Sequence, residues 1–177
     1  DMIRKDMTFM IQNSYTATMD RLPGGLLITD KESRVLYASA ALERRTGYDV
    51  AEIVGKKPGE LWGGKMRRKF YTTLWKTIET DGRSFVGEVN NTRKDGAKKD
   101  EHIFIVPIHD ATGRTRYFAE IHPECLGENE ERAFGYEFLN RTAGMVQDET
   151  FFKWMFQRLS VRADGTAVDW SGLGQEK

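Results

Sequence analysis

The stretch that decides the fold runs from Ser84 to Pro123 and reads SFVGEVNNTRKDGAKKDEHIFIVPIHDATGRTRYFAEIHP. Its alternating pattern predicts three strands, Phe85–Thr92, Lys98–Ile108 and Arg114–His122. The pair Asp95-Gly96 is typical of a tight hairpin turn, because glycine accepts the positive φ that such a turn requires. The segment His109–Gly113 carries Asp and Gly where a type I turn prefers them. We therefore expect an antiparallel meander, with one face covered by the residues that precede it.

Length and charge limit the possible classes of protein. The chain has 177 residues, enough for one domain with a real core plus an extension. Lys and Arg number 27, as do Asp and Glu, so no net basic field attracts nucleic acid or anionic lipid, and we expect neither as a partner. The single cysteine, Cys125, excludes an internal disulfide and a cysteine-rich metal cluster.

The compartment is predicted from what the sequence lacks. No apolar run approaches the roughly 20 residues that span a bilayer, and no signal peptide is recognisable. The chain opens with Asp1 and not with Met, so we expect a piece of a longer protein. These observations together predict a soluble cytoplasmic domain.

The first 22 residues form a separate flanking segment in this prediction. Apolar residues recur at helical spacing, which predicts an amphipathic helix over Asp1–Leu22. The run Pro23-Gly24-Gly25 ends it. Such a helix either packs on its own domain or serves for dimerisation and signal entry, and one helix can do both.

Between this helix and the meander, the pattern alternates between short strands and helices. It predicts strands at Leu26–Asp30 and Val35–Ala38, short helices at Ala40–Thr46 and Asp49–Glu52, a loop at Lys56–Gly64 and a long helix at Lys65–Asp81. Two strands at the start and three at the end predict an α+β fold with one five-stranded antiparallel sheet, and with helices on one face.

Several of these segments carry motifs that together resemble a PAS domain. They are Gly25–Asp30, Val35–Ser39, Thr46–Tyr48, Ile53–Lys56, Asn91–Gly96, Val106–Asp110 and Gly113-Arg114. The resemblance covers about residues 23–123, in the expected order and on the proposed hairpins. It implies a PAS domain over 23–126, a sensory or interaction module that usually belongs to a larger signalling protein. It does not by itself imply a particular ligand.

PAS domains that bind a ligand hold it between the inner sheet face and the long helix. Strand alternation places Glu101, Ile103 and Ile105 on one face of the central strand. The opposite face holds His102, Phe104, Val106 and Ile108. We expect the first face to line a pocket, and the second to be covered by the N-terminal helix or by a dimer partner.

The flavin-binding branch of the family places polar amides on the strands around the isoalloxazine edge. The matching positions here are Asn91, Glu101 and His122, of which only Asn91 keeps the amide. Pro58 stands where that branch carries its photoadduct cysteine, which excludes photoadduct chemistry on this alignment. Noncovalent FAD or FMN stays possible, while the absence of cofactor is the favoured expectation. Haem is not expected, because the long helix carries no histidine and His122 is the only plausible inward imidazole.

Simple packing competes with these pocket interpretations. Trp62 and Trp75 are more typical of a core than of cofactor stacking. Glu101 and His122 could form an ion pair across adjacent strands, which we favour, or the polar end of a small cavity. The three histidines show neither metal-ligand nor nucleophile–base spacing, so we expect no metal and no enzyme activity.

Residues 127–177 are predicted to be a helical extension. The acidic run Gly127–Arg132 ends the domain, and helices follow at Ala133–Gln147 and Glu149–Ser160. Their aromatic residues exceed what a disordered linker shows. The helices either cap the PAS sheet or form a homodimer or output interface, and we favour the interface because the PAS core is complete by residue 123.

Three functions follow from this resemblance. The favoured one is a regulatory module that dimerises through its flanking helices and relays a change caused by a small ligand or partner to an output partner or a missing output domain. The second is a noncovalent flavin redox sensor. The third is a PAS domain used only for protein–protein assembly, with its interior filled by Trp62, Trp75 and aliphatic residues.

Overall fold

A computed structural model describes residues 19–110, 112–124, 128–144 and 149–170. The strands are β1 (Gly25–Thr29), β2 (Val35–Ala38), β3 (Phe85–Thr92), β4 (Lys98–His109) and β5 (Thr115–His122). The helices are α1 (Ala41–Thr46), α2 (Val50–Ile53), α3 (Arg68–Trp75), α4 (Glu128–Gly144) and α5 (Glu149–Leu159), with a 3-10 turn at Pro58–Glu60 and a π-helical turn at Lys76–Thr80. None of the described helices is long and apolar enough to cross a membrane.

The strands form one antiparallel sheet in the order β2-β1-β5-β4-β3, which confirms the predicted fold class. The register of β1 on β5 runs from Gly25 opposite His122 to Thr29 opposite Phe118. The N-terminal hairpin is thereby added to the free edge of the meander. β5 lies at the centre of the sheet, where it pairs with β1 on one side and with β4 on the other.

The two predicted hairpin turns form for the reasons that the sequence indicated. Gly96 and Gly113 have φ values of 86° and 80°, in the left-handed region that favours glycine. Asp110 strengthens the second turn, because its Oδ1 accepts hydrogen bonds from the backbone N–H groups of Thr112 and Arg114 at 2.9 and 3.1 Å. These turns set the register of all three meander strands.

The predicted long helix begins later than its apolar pattern suggested. Arg67 has an extended conformation with ψ of 153°, so α3 starts at Arg68 and not at Lys65. The phenolic oxygen of Tyr71 accepts the N–H of Met66 at 3.1 Å, which holds the preceding loop against the helix. After Trp75 the chain continues as the π-helical turn, a local widening that is frequent at functional sites.

The inner sheet face packs against α1, α2 and α3. One apolar cluster joins α3 and its π-helical turn to the meander through Leu74, Ile78, Val89, Ile103, Ile105 and Phe118. A second joins the N-terminal hairpin to α1, α2 and the following loop through Leu27, Val35, Ala38, Leu42, Ile53 and Trp62. The inner face is thus divided into two apolar clusters on either side of the sheet centre.

The outer sheet face is covered by α4 and α5. Buried side chains of these helices meet those of the sheet in one large cluster, which includes Phe104, Val106, Ile108, Ile121, Phe134, Phe138, Phe151, Trp154, Met155 and Leu159. The expectation that the N-terminal helix or a dimer partner covers this face is therefore wrong for most of it. Met19 and Leu22 do join the cluster, but residues 1–18 of the predicted N-terminal helix lie outside the described residues.

The acidic run that was expected to end the domain belongs in part to α4, which begins at Glu128. Acidic residues in a first helical turn interact favourably with the helix dipole, so this run starts the helix. A close approach follows at Gly135, where an added Cβ would lie 3.2 Å from Cγ1 of Val86 on the sheet. The C-terminal extension is therefore docked on the sheet, which agrees with the alternative in which its helices cap the PAS sheet.

Candidate functional site

A cavity of about 470 Å³ lies between the inner sheet face and α3. Its walls are mostly apolar and come from β1, β3, β4 and β5 on one side, and from α3, the π-helical turn and the loop after α2 on the other. A volume of this size is in the range of small-molecule sites in proteins. The cavity can therefore hold a ligand of several rings or an equivalent chain.

Five of the seven residues predicted for the pocket line this cavity: Trp62, Trp75, Asn91, Ile103 and Ile105. The other two, Glu101 and His122, are not among the residues that line it. Both are nonetheless buried, at 9% and 6% exposure, so their polar groups need partners inside the protein.

The carboxylate of Glu101 is held in a network of three polar side chains. Its Oε1 lies 3.0 Å from Nη2 of Arg45 and 3.3 Å from Nζ of Lys99, and its Oε2 accepts a hydrogen bond from Nδ2 of Asn91 at 2.7 Å. Burial opposes ionisation, but the charge of Arg45 and the bond from Asn91 outweigh it and lower the pKa of Glu101. Glu101 therefore stays ionised and fixes the amide of Asn91.

The ion pair predicted between Glu101 and His122 is replaced by two separate pairs. Glu101 pairs with Arg45, while Nε2 of His122 lies 3.1 Å from Oε1 of Glu120. The other ring nitrogen of His122, Nδ1, is buried and has no hydrogen-bond partner within the described part of the chain. The polar groups around His122 are thus incompletely satisfied, in contrast to the network around Glu101.

Glu120 lines the cavity and was missed by the sequence analysis. Strand alternation could have found it, because Phe118, Glu120 and His122 share one face of β5. The match to the flavin-binding branch drew attention to His122 alone. Between Leu27 on β1 and Ile105 on β4, both directly opposite it, Glu120 places a carboxylate in an otherwise apolar part of the sheet.

The two predicted tryptophans pack against aromatic neighbours and also line the cavity. Trp75 meets Phe118 edge-on, with ring centroids 5.7 Å apart, and Trp62 lies 6.4 Å from Tyr48 in a tilted arrangement. Trp62 is only 6% exposed. Both tryptophans therefore pack against aromatic neighbours, as the packing interpretation predicts. Both also line the cavity, where a ligand can contact them.

The rim of the cavity is charged. Lys31, Glu32 and Ser33 of the β1–β2 turn and Glu79 of the π-helical turn contribute to it, together with Lys57. Ser33 has a φ of 67°, a conformation that few residues other than glycine adopt. A strained turn residue at a cavity rim is a typical place for adjustment when a ligand enters.

Flavin fits this cavity in space but not in its polar chemistry. The apolar walls and the volume suit a planar ring system. Pro58 lines the cavity where the photoadduct thiol would be needed, and Cys125 lies outside the described residues. Glu120 places a carboxylate on the wall, whereas the isoalloxazine edge presents two carbonyl oxygens beside its single N–H, and a carboxylate would repel both oxygens.

The described residues contain no group of three or more His, Cys, Asp or Glu side chains that could hold a metal ion. Away from the charged rim, the cavity wall carries an amide and a carboxylate on separate strands, Asn91 and Glu120. Neither is paired with a nucleophile in the contacts described above. The arrangement can bind and orient a ligand, and it offers no recognisable catalytic constellation.

Comparison with known families gives one match, to the PAS fold over residues 7–123. Among curated proteins, the human high-affinity cAMP-specific phosphodiesterase 8A is 24% identical over 127 residues, which is 72% of this chain and 15% of that protein. The nitrogen fixation regulatory protein of Klebsiella oxytoca is 28% identical over 91 residues, 51% of this chain and 18% of that protein. The chain thus spans less than a fifth of either relative.

Solved structures show the same fold. The PAS domain of a Colwellia psychrerythraea protein superposes with a TM-score of 0.53 at 16% identity, covering 60% of this chain and 90% of that one. The LOV domain of a blue-light-activated histidine kinase from Erythrobacter litoralis gives a TM-score of 0.51 at 30% identity, covering 57% of this chain and 94% of that one. The first comparison supports the fold alone.

Proposed function

The chain belongs to the PAS family, and from that premise we propose that it is a sensory module whose inner cavity binds a small molecule and whose outer helices transmit the change. Regulatory and signalling proteins are among its relatives, including a nitrogen fixation regulatory protein and blue-light-activated histidine kinases. PAS domains typically sense and do not catalyse, so we expect no enzyme activity from this part of the chain.

The observation that carries the proposal is the double role of β4. Ile103 and Ile105 face the cavity, whereas Phe104 between them packs on α4 through Phe134 and Phe138, at centroid distances of 4.8 and 5.8 Å. A ligand that presses on the inner side chains can shift the backbone that also carries Phe104. The cavity and the outer helices are therefore in contact with opposite faces of the same strand.

The transmitted change is a shift between two arrangements of the outer helices. A ligand can only shift this equilibrium if it binds one arrangement more tightly than the other. The contacts of α4 and α5 with the sheet are apolar and aromatic, and a closely packed interface of this kind favours discrete arrangements over gradual deformation. Occupied and empty states of the cavity would then correspond to tight and loosened helices, or the reverse.

Hydrogen exchange on a variant that fills the cavity tests this relay. Leu74 on α3 lines the cavity and is 7% exposed, so Leu74→Trp imitates an occupant that presses on the sheet, and it leaves the sequence of β4 unchanged. Its neighbour Thr73 is exposed, and Thr73→Trp is the matched control. We expect altered amide exchange in α4 and α5 for Leu74→Trp alone. Unchanged exchange in a folded Leu74→Trp variant, verified by circular dichroism, would contradict the relay.

A noncovalent flavin is the second candidate for the occupant. The position and volume of the cavity favour it, as does the 30% identity to a LOV domain. The carbonyl oxygens of the isoalloxazine edge count against it, because the carboxylate of Glu120 would repel them. The absorbance spectrum of the protein purified without added cofactor decides, because bound FAD or FMN gives visible flavin bands. A trace without these bands removes FAD and FMN as the resident group.

We also propose that the chain forms a homodimer through its flanking helices and acts on an output partner or output domain in the cytoplasm. Tyr136 and Leu139 on α4 support this, at 74% and 38% exposure, because large apolar side chains on the outward face of a docked helix suit a second protein surface. Light scattering on the chain and on a Tyr136→Arg, Leu139→Arg variant tests it. A monomer in both samples would remove the dimer.

A further inference from the structure

We propose that the ligand of the inner cavity carries a cationic or N–H-rich group, such as an amidinium or a protonated amine, and that this group binds the carboxylate of Glu120. The inference rests on the proposed function, since it assumes that the cavity takes a small molecule. It adds the chemical class of that molecule and the residue that selects it. Glu120 would then be the specificity-determining residue of the cavity.

Glu120 lies where an ionised group has few competing partners. On either side of it, the directly opposite residues are Leu27 and Ile105, at 1% and 9% exposure. The preceding residue on the same face of β5 is Phe118, at 4% exposure. A carboxylate in such surroundings interacts more strongly with an opposite charge than it would in water, because the local dielectric constant is lower.

The protein uses only part of the hydrogen-bonding capacity of this carboxylate. The side chain of Glu120 is 14% exposed, and its Oε1 lies 3.1 Å from Nε2 of His122. An ionised carboxylate can accept about four hydrogen bonds at its two oxygens. Oε2 therefore remains suited to a donor from within the cavity, while His122 holds Oε1 and fixes the orientation of the group. An amidinium fits, since its two N–H groups match a carboxylate edge.

The rest of the cavity does not counteract this preference. The charged residues at the rim are two lysines, Lys31 and Lys57, and two glutamates, Glu32 and Glu79, which cancel formally. Glu120 is the remaining ionisable residue among those that line the cavity, apart from the Tyr71 phenol. Inside the rim, Glu120 is the one carboxylate among the lining residues, so a cationic ligand is favoured there over an anionic one.

Asn91 contributes a second acceptor to the same wall. Its Nδ2 donates to Oε2 of Glu101 at 2.7 Å, and Glu101 is held in turn by Arg45. With this donor engaged, the carboxamide offers its Oδ1 to other partners. Oδ1 of Asn91 and the carboxylate of Glu120 thus give this wall two oxygen acceptors, which a ligand rich in N–H donors satisfies.

Three aromatic probes of equal shape and different charge test the inference. They are naphthalene-2-carboxamidine, naphthalene-2-carboxamide and naphthalene-2-carboxylate, titrated into the full chain by calorimetry. We expect the amidine to bind at least about tenfold more tightly than the carboxylate, the scale of one charge-assisted hydrogen bond, with the neutral amide between them. This comparison uses the unaltered protein and does not depend on the folding of any variant.

Two substitutions locate the preference. Glu120→Gln keeps an oxygen acceptor for His122 but removes the charge, and should abolish most of the advantage of the amidine. Glu88→Gln removes a charge of the same sign from an exposed side chain that does not line the cavity, and should change amidine affinity by no more than about twofold, because exposed charges are screened. Equal losses in both variants would show that the attraction is a general one, and would overturn the role of Glu120.

The outcomes separate the two levels of the argument. Tighter binding of the amidine, lost in Glu120→Gln, supports both the cavity and its selectivity. Carboxylate or amide affinity equal to that of the amidine overturns the inference and leaves the cavity as a ligand site. Absence of binding by all three probes overturns the inference, and unaltered exchange in the Leu74→Trp variant is the separate result that would remove the proposed function.

Discussion

Phe104 packs edge-on against Phe134, with ring centroids 4.8 Å apart and ring planes at 76°. The first ring belongs to the central meander strand and the second to α4, so this contact links the sheet to its outer cover. Phe138 also contacts Phe104. Trp154 of α5 stacks on Phe134 with ring centroids 6.5 Å apart and lies tilted against Phe138 at 6.4 Å. The four rings form one continuous aromatic cluster across three elements.

Removal of Phe138 should release much of this cluster's stabilisation. Phe138 is fully buried, and Phe138→Ala leaves a cavity that the surrounding helices can only partly close. We expect the free energy of unfolding to fall by about 3–5 kcal/mol, as measured by urea denaturation. Leu139→Ala, at the next and 38% exposed position, is the control and should cost less than about 1 kcal/mol. Similar losses at the two positions would mean that α4 is not docked in this orientation.

Gly24→Ala should weaken the junction between the start of β1 and the end of α5. The N–H of Gly24 donates to the carbonyl oxygen of Leu159 at 3.0 Å, and an added Cβ would lie 3.1 Å from the carbonyl oxygen of His122 and 3.2 Å from Cα of Leu159. Because both of these neighbours are backbone atoms, they cannot rotate away. We expect a lower Tm for Gly24→Ala, with increased amide exchange at the end of α5.

Gly96→Ala is a useful counterpart to that variant. An added Cβ at Gly96 meets nothing within 4 Å, but φ is 86°. Its cost, of about 1 kcal/mol, would come from backbone strain and not from contact. Exchange in α5 should then stay unchanged. A change in α5 exchange for both glycine variants would point to a general loss of stability.

Glu101 should make the stability of the protein depend on pH in the acid range. Its pKa in the folded protein lies below the ordinary value of 4.5, so its contribution is complete above the unfolded pKa and is lost as the pH falls through the folded pKa. Glu101→Gln cannot ionise. We expect it to cost about 1–3 kcal/mol at pH 7, and the gap between variant and wild type to narrow progressively below about pH 5.

Denaturation curves collected from pH 7 to pH 3 would measure that gap. Glu79→Gln, which changes the net charge equally at an exposed site, is the control and should show a nearly constant gap. A Glu101→Gln gap that stays constant or widens on acidification would mean that the carboxylate is not stabilised by Arg45 and Asn91 as their distances indicate.

His102 should anchor the first turns of α4 to the sheet. Its Nδ1 lies 2.5 Å from Oε2 of Glu131 on α4, and its Nε2 lies 3.2 Å from Oε1 of Glu88 on β3. We expect His102→Ala to increase amide exchange in the first half of α4 with little effect on β5. Glu88→Ala is the matched control, because the side chain of Glu88 is 71% exposed and its pair is largely screened. Equal effects of the two variants would remove His102 as an anchor.

The sequence predicted the sheet well because its signals are local. Turns at Gly96 and Gly113, and the alternation between them, determine which residues of β4 face inward. The helix covering the outer face was assigned wrongly, because an apolar stripe indicates that a helix is buried but not against which surface. Both the N-terminal segment and α4 carried such a stripe, and only the three-dimensional path of the chain distinguishes them.

The candidate site was harder to predict for a related reason. Arg45 and Glu101 are 56 residues apart in sequence, and nothing in the local pattern of α1 indicates that its last turn reaches β4. The inward position of Glu120 could have been predicted from strand alternation. It was missed because His122, two residues further along the same strand, matched a position of the flavin-binding branch. Ion-pair partners follow from tertiary contacts, so spacing alone offered a wrong partner for both Glu101 and His122.

The alternation of β4 has a consequence for the evolution of such a protein. Successive residues of one strand face different tasks, since Ile103 and Ile105 touch the cavity and Phe104 and Val106 touch the helices. Substitutions at the first pair can therefore retune what is detected while the second pair keeps the same connection to the rest of the protein. Residues on the two faces of this twelve-residue strand can therefore be substituted separately, although they share one backbone.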